Sequence, residues 1–166
     1  DWSALEQLSP PNDVPSMDSI ARNFQRVHLN HLAGSASGES NPIYNMDWYG
    51  EYIARAVAIA GLTLNLDYTD AQKRDLLIGF VQVGIDNYGV VQSNPGARVW
   101  KPQAGFGQGR KLPILFAGKL LGVPGMLSLG AGDGSDTAYF GEDGQTGYVT
   151  SEWVDISNSG SWNPDD

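Results

Sequence analysis

The sequence predicts a mainly α-helical single domain built from antiparallel helical hairpins, and three observations support that prediction. Apolar residues recur at helical spacing in four segments of the 166-residue chain. Glycines or helix-capping residues stand at the ends of those segments. The chain is long enough to bury one hydrophobic core. We therefore expect one domain over residues 1–166, with long glycine-rich loops and a little β structure near the C-terminus.

Residues 1–16 contain three prolines, which predict an extended arm, and Trp2, Leu5 and Leu8 are expected to pin that arm to the body. Ser16 is a helix-capping residue, and apolar spacing after it predicts a first helix from Met17 to Leu32. A flexible loop over residues 34–42 follows.

A second helix is predicted over residues 46–60, ending at Gly61. Thr69 and Gln72 form a capping box that opens a third helix, which Gly89 is expected to close. The apolar stripe predicted for the third helix consists of Leu76, Leu77, Phe80, Val81, Gly84, Ile85 and Tyr88, opposite Lys73, Arg74, Asp75, Gln82 and Asp86. The short connection between these helices predicts that they are antiparallel neighbours.

Residues 90–108 form a connection of a length that compact domains usually reserve for binding or catalysis. A fourth helix is predicted from Arg110 to Leu121, with Pro113 in its first turn and Gly122 at its end. Residues 17–122 thus make a helical body. The sequence predicts a loop-rich segment over residues 123–157 and a flexible tail over residues 158–166.

The net charge of −9 argues against nucleic acid and against an anionic membrane surface as partners. The absence of cysteine excludes disulfides and thiolate metal sites. No apolar run reaches the ~20 residues that a membrane span needs. The chain begins at Asp1 rather than Met. Removal of a secretory signal and simple trimming explain this start equally well.

The glycines at 105, 107 and 109 lead directly into the fourth helix. They permit unusual backbone conformations and leave amide N–H groups available at a helix start, where the oxygens of a partner can dock. Arg110 and Lys111 add two cations there. These cations either hold a sugar carboxylate or sulfate, or they face solvent and pair with the surplus acids of the chain.

Three segments carry a resemblance to a known group of proteins: 48–51 (WYGE), 107–118 (GQGRKLPILFAG) and 140–149 (FGEDGQTGYV). Residues 41–153 resemble part of secreted bacterial proteins with an α/α-toroid fold, which are related to polysaccharide lyases and other carbohydrate-active enzymes. A closed ring of hairpins takes roughly a dozen helices, so the resemblance implies an incomplete toroid and a longer protein or an assembly. This chain has Phe106 where the resemblance implies histidine.

The chemistry that the resemblance implies makes Tyr49, Arg110 and Tyr148 the catalytic candidates, since a lyase needs a base and a cation. The candidate ligand-binding residues are Arg98, Trp100, Gln108, Arg110, Lys111, Glu142 and Asp143. Glu142 and Asp143 are alternatively a solvated acidic loop, or one half of a hydrolase carboxylate pair. The tryptophans either stack on sugar rings or lie in the core.

The acidic, glycine-rich run that contains Asp133 and Asp136 is a candidate calcium site, although it does not match the EF-hand pattern. His28 and His31 are three residues apart and could share a helix face as metal ligands, or they could be surface histidines. No other cofactor is indicated.

Two functions remain open at this point, ahead of a third, a calcium-dependent adhesion module. The first is a secreted domain, extracellular or periplasmic, that grips an acidic polysaccharide through the 98–111 and 139–148 loops. The second is a non-catalytic structural subunit that has lost its chemistry with the change at Phe106. That subunit would self-assemble into a homo-oligomer or filament through the helices at 46–60 and 110–121, whose apolar surface exceeds what a four-helix monomer covers.

Overall fold

The computed structural model describes residues 2–25, 50–93, 100, 108–129 and 140. A 3-10 helix at Trp2–Ala4 is followed by α1 (Met17–Arg22), α2 (Gly50–Leu64), α3 (Asp70–Ser93), α4 (Lys111–Leu121) and α5 (Pro124–Leu127). The described ranges contain no strand, only two isolated parallel bridges, Leu8 with Leu66 and Trp100 with Phe140. The prediction of a mainly α fold is confirmed.

The N-terminal arm is held mainly through its backbone. Leu8 N–H donates to the carbonyl of Asn65 at 3.0 Å, and Asp67 N–H donates to the carbonyl of Leu8 at 2.8 Å. Leu5 is buried, whereas the side chains of Trp2 and Leu8 are exposed. Leu5 is therefore the apolar anchor of the arm, and Leu8 attaches it by pairing with the chain between α2 and α3.

Helix α1 begins where the capping residue predicts but ends early. The Ser16 hydroxyl oxygen accepts from Ser19 N–H at 3.3 Å. The helix stops at Arg22, and Asn23 N–H bonds back three residues to Ile20 at 3.1 Å, which tightens the chain into a turn. The prediction of continuous helix to Leu32 is wrong at residues 23–25, and residues 26–32 lie outside the described part of the chain.

Helix α2 runs through Gly61, so the prediction that this glycine ends the helix is wrong. Leu64 is fully buried, and the core contact it makes outweighs the weak helix propensity of glycine. Asn65 provides the end instead, since its side-chain amide donates to the carbonyl of Gly61 at 2.8 Å. Residues 46–49 of the predicted helix lie outside the described residues.

Helix α3 opens with the predicted capping box. Gln72 N–H donates to Thr69 Oγ1 at 3.3 Å, and Thr69 N–H donates to Gln72 Oε1 at 2.9 Å. The predicted end at Gly89 is wrong, because α3 continues to Ser93. Val91 is buried in the core, and its burial carries the helix one turn beyond the glycine.

The buried face of α3 is rotated from the predicted stripe. Lys73 is 0% exposed and Asn87 is buried, whereas Ile85 is exposed. Gly84 belongs to both the predicted and the observed face, and a Cβ there would lie 2.1 Å from the carbonyl oxygen of Pro113 in α4. Close approach at this glycine makes α3 and α4 the most extensively packed helix pair in the described structure. Helices α2 and α3 also contact each other, as the hairpin prediction requires.

Helix α4 separates two apolar clusters. In the first, the ring of Phe80 meets Phe24 and Phe116 edge to face, with centroid distances of 5.2 and 5.1 Å. The second contains Ile114 and Ala117 with residues from outside the helix pair, including Trp100 and Phe140. Helix α4 ends as predicted at Gly122, which has a φ of +67°. Of the helices described, none combines the length and apolar character required to cross a bilayer.

Candidate functional site

The start of α4 is a tightly packed turn. Gly109 has a φ of +80°, and a Cβ there would lie 2.7 Å from the backbone nitrogen of Ala54 in α2. Only glycine satisfies both conditions without strain. The role of Gly109 in the structure is therefore close approach to α2, which fixes where the first turn of α4 begins. The glycines at 105 and 107 lie outside the described residues.

Arg110 lies immediately before α4 and is 1% exposed. Its guanidinium Nη1 donates to the carbonyl of Gln108 at 3.2 Å, and its own carbonyl accepts from the side-chain amide of Asn87 at 3.3 Å. The sequence left open whether Arg110 binds a ligand anion or faces solvent. The burial of Arg110 excludes the second alternative. Arg110 instead holds the 108–110 turn against α3.

Asn87 is a site residue that sequence reasoning missed. It is buried on α3, and its Oδ1 has no hydrogen-bond partner among the described residues. Its position could have been found, since it stands four residues from both Val83 and Val91, which share the buried face of the helix. Asn87 joins the middle of α3 to the backbone at the start of α4.

Lys111 follows as the first residue of α4 and remains partly exposed. Its Nζ lies 5.9 Å from the ring centroid of Phe140, within the range of a cation–π contact. Phe140 is fully buried, so the ring approached by the ammonium group is itself held rigidly. The cation is thus directed toward the C-terminal segment.

One described residue from each of the two segments predicted to bind a ligand pairs with the other here. Trp100 and Phe140 form a parallel backbone bridge, and their rings stack with centroids 5.7 Å apart and planes 26° apart. Trp100 is buried, which agrees with the core reading of this tryptophan. Trp100 and Phe140, one described residue from each of these two segments, therefore lie beside each other, with Lys111 close to Phe140.

The first turn of α4 contains no acidic residue, and the side chain of Arg110 itself makes no capping hydrogen bond. The start of a helix carries partial positive charge from its N–H groups. With a lysine beside it, this helix start is an electropositive position suited to an anionic group.

The remaining predicted residues lie outside the described part of the chain. They are Tyr49, Arg98, Asp133, Asp136, Glu142, Asp143, Tyr148, His28 and His31, together with Phe106. Within residues 2–25, 50–93, 100, 108–129 and 140, no three His, Asp or Glu side chains come together as a metal site. The structure thus brings together Trp100, Gln108, Arg110 and Lys111 from the predicted set. No family model, curated protein or solved structure matches this chain.

Proposed function

We propose that this chain is a carbohydrate-active or polysaccharide-binding α/α domain, of incomplete toroid type, that binds an acidic polysaccharide at the start of α4. The observation that supports the proposal is the pairing of Trp100 with Phe140, one described residue from each of the two segments predicted to bind a ligand. Two loops that are far apart in sequence supply a site together only if the fold joins them. Here the pair lies beside the first residue of α4, Lys111.

The charge distribution supports an acidic ligand. Residues 87–132 contain no Asp or Glu, although the chain as a whole has a net charge of −9. The same stretch holds Arg98, Lys101, Arg110, Lys111 and Lys119, half of the 10 Lys and Arg residues. A stretch of chain that is rich in cations and lacks acids attracts anions more than the rest of an acidic protein does. The uronate or sulfate groups of an acidic polysaccharide are such anions.

Arg110 and Lys111 take different roles in this proposal. Arg110 is buried and bonded to the backbone of Gln108, so it positions the turn. Lys111 is partly exposed at the helix start, so it meets the carboxylate or sulfate of the ligand. A lyase reaction at this site would need Tyr49 or Tyr148 to act as the base near Lys111. The proposal includes an extracellular or periplasmic location for the protein, because acidic polysaccharides occur outside the cell.

Calorimetric titration with uronate oligosaccharides tests the binding site. Lys111→Gln removes the charge and nearly preserves side-chain length, and it should weaken binding about fivefold, since a partly exposed ion pair contributes up to about 1 kcal/mol. Raising the salt concentration should weaken binding of the wild type more than binding of the variant.

Lys119→Gln is the matched control, because Lys119 is an exposed lysine in the last turn of the same helix. Its affinity should stay within about twofold of the wild type, since exposed charges more than about 10 Å from a ligand are largely screened at ordinary salt. Equal losses of affinity in both variants would mean that the ligand responds only to overall charge. The proposal is rejected if no uronate binds to the protein. Absorbance of newly formed unsaturated ends, followed in parallel, reports whether the bound polymer is also cleaved.

A second candidate function, self-assembly of a structural subunit, is favoured by a separate observation. Ile78 is 58% exposed and Leu121 is 51% exposed, and both line an apolar groove of about 250 Å³ between α3 and α4. On α2, Leu62 is 70% exposed. Light scattering coupled to size exclusion tests this candidate. A species of several times 17.9 kDa that dissociates in Ile78→Ser would support it, and a monomer at high concentration would reject it.

A further inference from the structure

The N-terminal arm is attached to the chain between α2 and α3 by backbone hydrogen bonds. Leu8 N–H donates to the carbonyl of Asn65, and Asp67 N–H donates to the carbonyl of Leu8. Glu6 N–H donates to Asn65 Oδ1 at 3.0 Å. Bonds of this kind require only an extended segment beside residues 65–67, so they form equally well with the arm of another chain.

Apolar side chains of the arm add to this attachment. Leu5 is buried, and the 3-10 helix that precedes it contacts α4. Trp2 lines the apolar groove between α3 and α4 together with Ile78 and Leu121. Residues 65–67 and this groove are called the arm-binding surface below. The structure thus shows which segment fits the groove, and that segment is the arm.

Residues 9–15 connect the arm to α1 and are called the hinge below. They form no hydrogen bond with any described residue. Three of these seven residues are prolines, at positions 10, 11 and 15. Proline fixes its own φ and restricts the residue before it to extended conformations, so the hinge favours an extended path.

Both ends of the hinge face the same short stretch of the body. Leu8, before the hinge, pairs with Leu66, while Pro15, at its end, lines a cleft together with Tyr68. Two residues of chain separate Leu66 from Tyr68, a distance of at most about 7 Å. An extended hinge of seven residues would span about 22 Å. Transfer of the arm to a second copy lets the hinge extend while the contacts of the arm are kept.

We propose that two copies of this chain exchange their arms, so that residues 2–8 of each copy occupy the arm-binding surface of the other. The exchange is reciprocal, which closes the assembly as a two-fold dimer. This inference deepens the self-assembly candidate and rests on it, because it names the segment that joins the copies. It is independent of acidic ligand binding at the start of α4.

Disulfide trapping between two differently substituted chains tests the exchange, and the absence of native cysteine makes the trap specific. Leu8→Cys and Leu66→Cys are made in separate chains, which are mixed at high concentration in a glutathione redox buffer. Paired residues of neighbouring strands lie about 5 Å apart, a spacing that a disulfide spans. Exchange should give a covalent dimer of twice 17.9 kDa, in which peptide mapping finds positions 8 and 66 linked.

Ile85→Cys replaces Leu66→Cys in the control mixture. Ile85 is exposed on α3, fifteen residues beyond the start of that helix, which places it about 22 Å further along. The control mixture should give only the small amount of linked dimer that random thiol pairing produces. Equal yields in the two mixtures would overturn the exchange.

A single chain that carries both Leu8→Cys and Leu66→Cys separates the two ways of failing. If light scattering shows an assembly but oxidation links each chain only to itself, self-assembly stands and the exchange is overturned. If the chain stays monomeric at high concentration, both the self-assembly candidate and the exchange fail. Oxidation of an assembled sample should instead link the two chains to each other.

The double variant Pro10→Ala and Pro11→Ala tests the hinge and leaves the arm-binding surface intact. The dissociation constant of the dimer should rise about tenfold, since the restriction by each proline is worth about two- to fivefold. Pro124→Ala, at an exposed proline in the first turn of α5, is the control and should stay within about twofold of the wild type. Equal dissociation constants in the hinge variant and this control would overturn the exchange.

Discussion

Gly84 offers a direct test of the packing that places the candidate site. A Cβ at this position would lie 2.1 Å from the carbonyl oxygen of Pro113 and 2.7 Å from the Cβ of Ala117. Ordinary contact begins at 3.4 Å, so Gly84→Ala forces α3 and α4 apart by more than 1 Å. The obstacle includes backbone of α4, which cannot rotate away as a flexible side chain can.

The expected magnitude is a difference of two terms. Alanine gains about 1 kcal/mol over glycine in a helix interior. Overpacking a core costs about 1–3 kcal/mol, and separation by 0.5–1 Å already forfeits about a quarter to a half of each dispersion contact across the helix pair. Because the backbone of α4 must move, we expect the upper end of the overpacking cost and a net loss of about 2 kcal/mol for Gly84→Ala.

Gly89→Ala is the matched control on the same helix. No heavy atom lies within 4 Å of a Cβ built there, so only the propensity gain of about 1 kcal/mol applies. Urea unfolding followed by circular dichroism measures both variants. The two free energies of unfolding should differ by about 3 kcal/mol. If Gly84→Ala is as stable as Gly89→Ala, the close packing of α3 on α4 is wrong, and so is the placement of the site.

Three further substitutions probe stability. Lys73→Met should raise the free energy of unfolding by about 1–3 kcal/mol, because Lys73 is fully buried and its Nζ has no hydrogen-bond partner among the described residues; a decrease in the urea midpoint would contradict this. Gly109→Ala should cost about 1–3 kcal/mol more than Gly122→Ala, since both have positive φ but only Gly109 approaches a backbone; equal thermal shifts would refute the close approach to α2. Thr69→Ala should lose about 1 kcal/mol with the capping box, and an unchanged melting temperature would show that the box is not needed.

The features that follow from short-range chemistry were predictable from the sequence. Ser16 and Thr69 cap the helices they precede, and Gly122 ends α4 in the left-handed conformation, because these effects depend on only a few neighbouring residues. Gly61 and Gly89 carry the same local stop signal, yet α2 and α3 continue through them. Burial of Leu64 and Val91 decides those cases, and burial depends on helices that are distant in sequence.

The two segments of the candidate site were predictable from the sequence, but the roles of their individual residues were not. The glycine-rich approach to α4 and the pair of cations were visible in the sequence. The sequence did not show that Arg110 is buried while Lys111 is partly exposed, because that division depends on contacts with α3 and with Phe140. The buried Lys73 was assigned to the polar face for a similar reason, since its burial depends on helices that are distant in sequence.

The most direct test of the account follows the indole N–H signals of the five tryptophans during titration with a uronate hexamer. Trp100 stacks on the ring that Lys111 approaches, whereas Trp2 lies in the arm and lines the separate apolar groove. The Trp100 signal should shift in saturable fashion while the Trp2 signal stays in place, and Lys111→Gln should reduce the Trp100 response. A titration in which Trp2 shifts and Trp100 does not would contradict an acid-binding site at the start of α4.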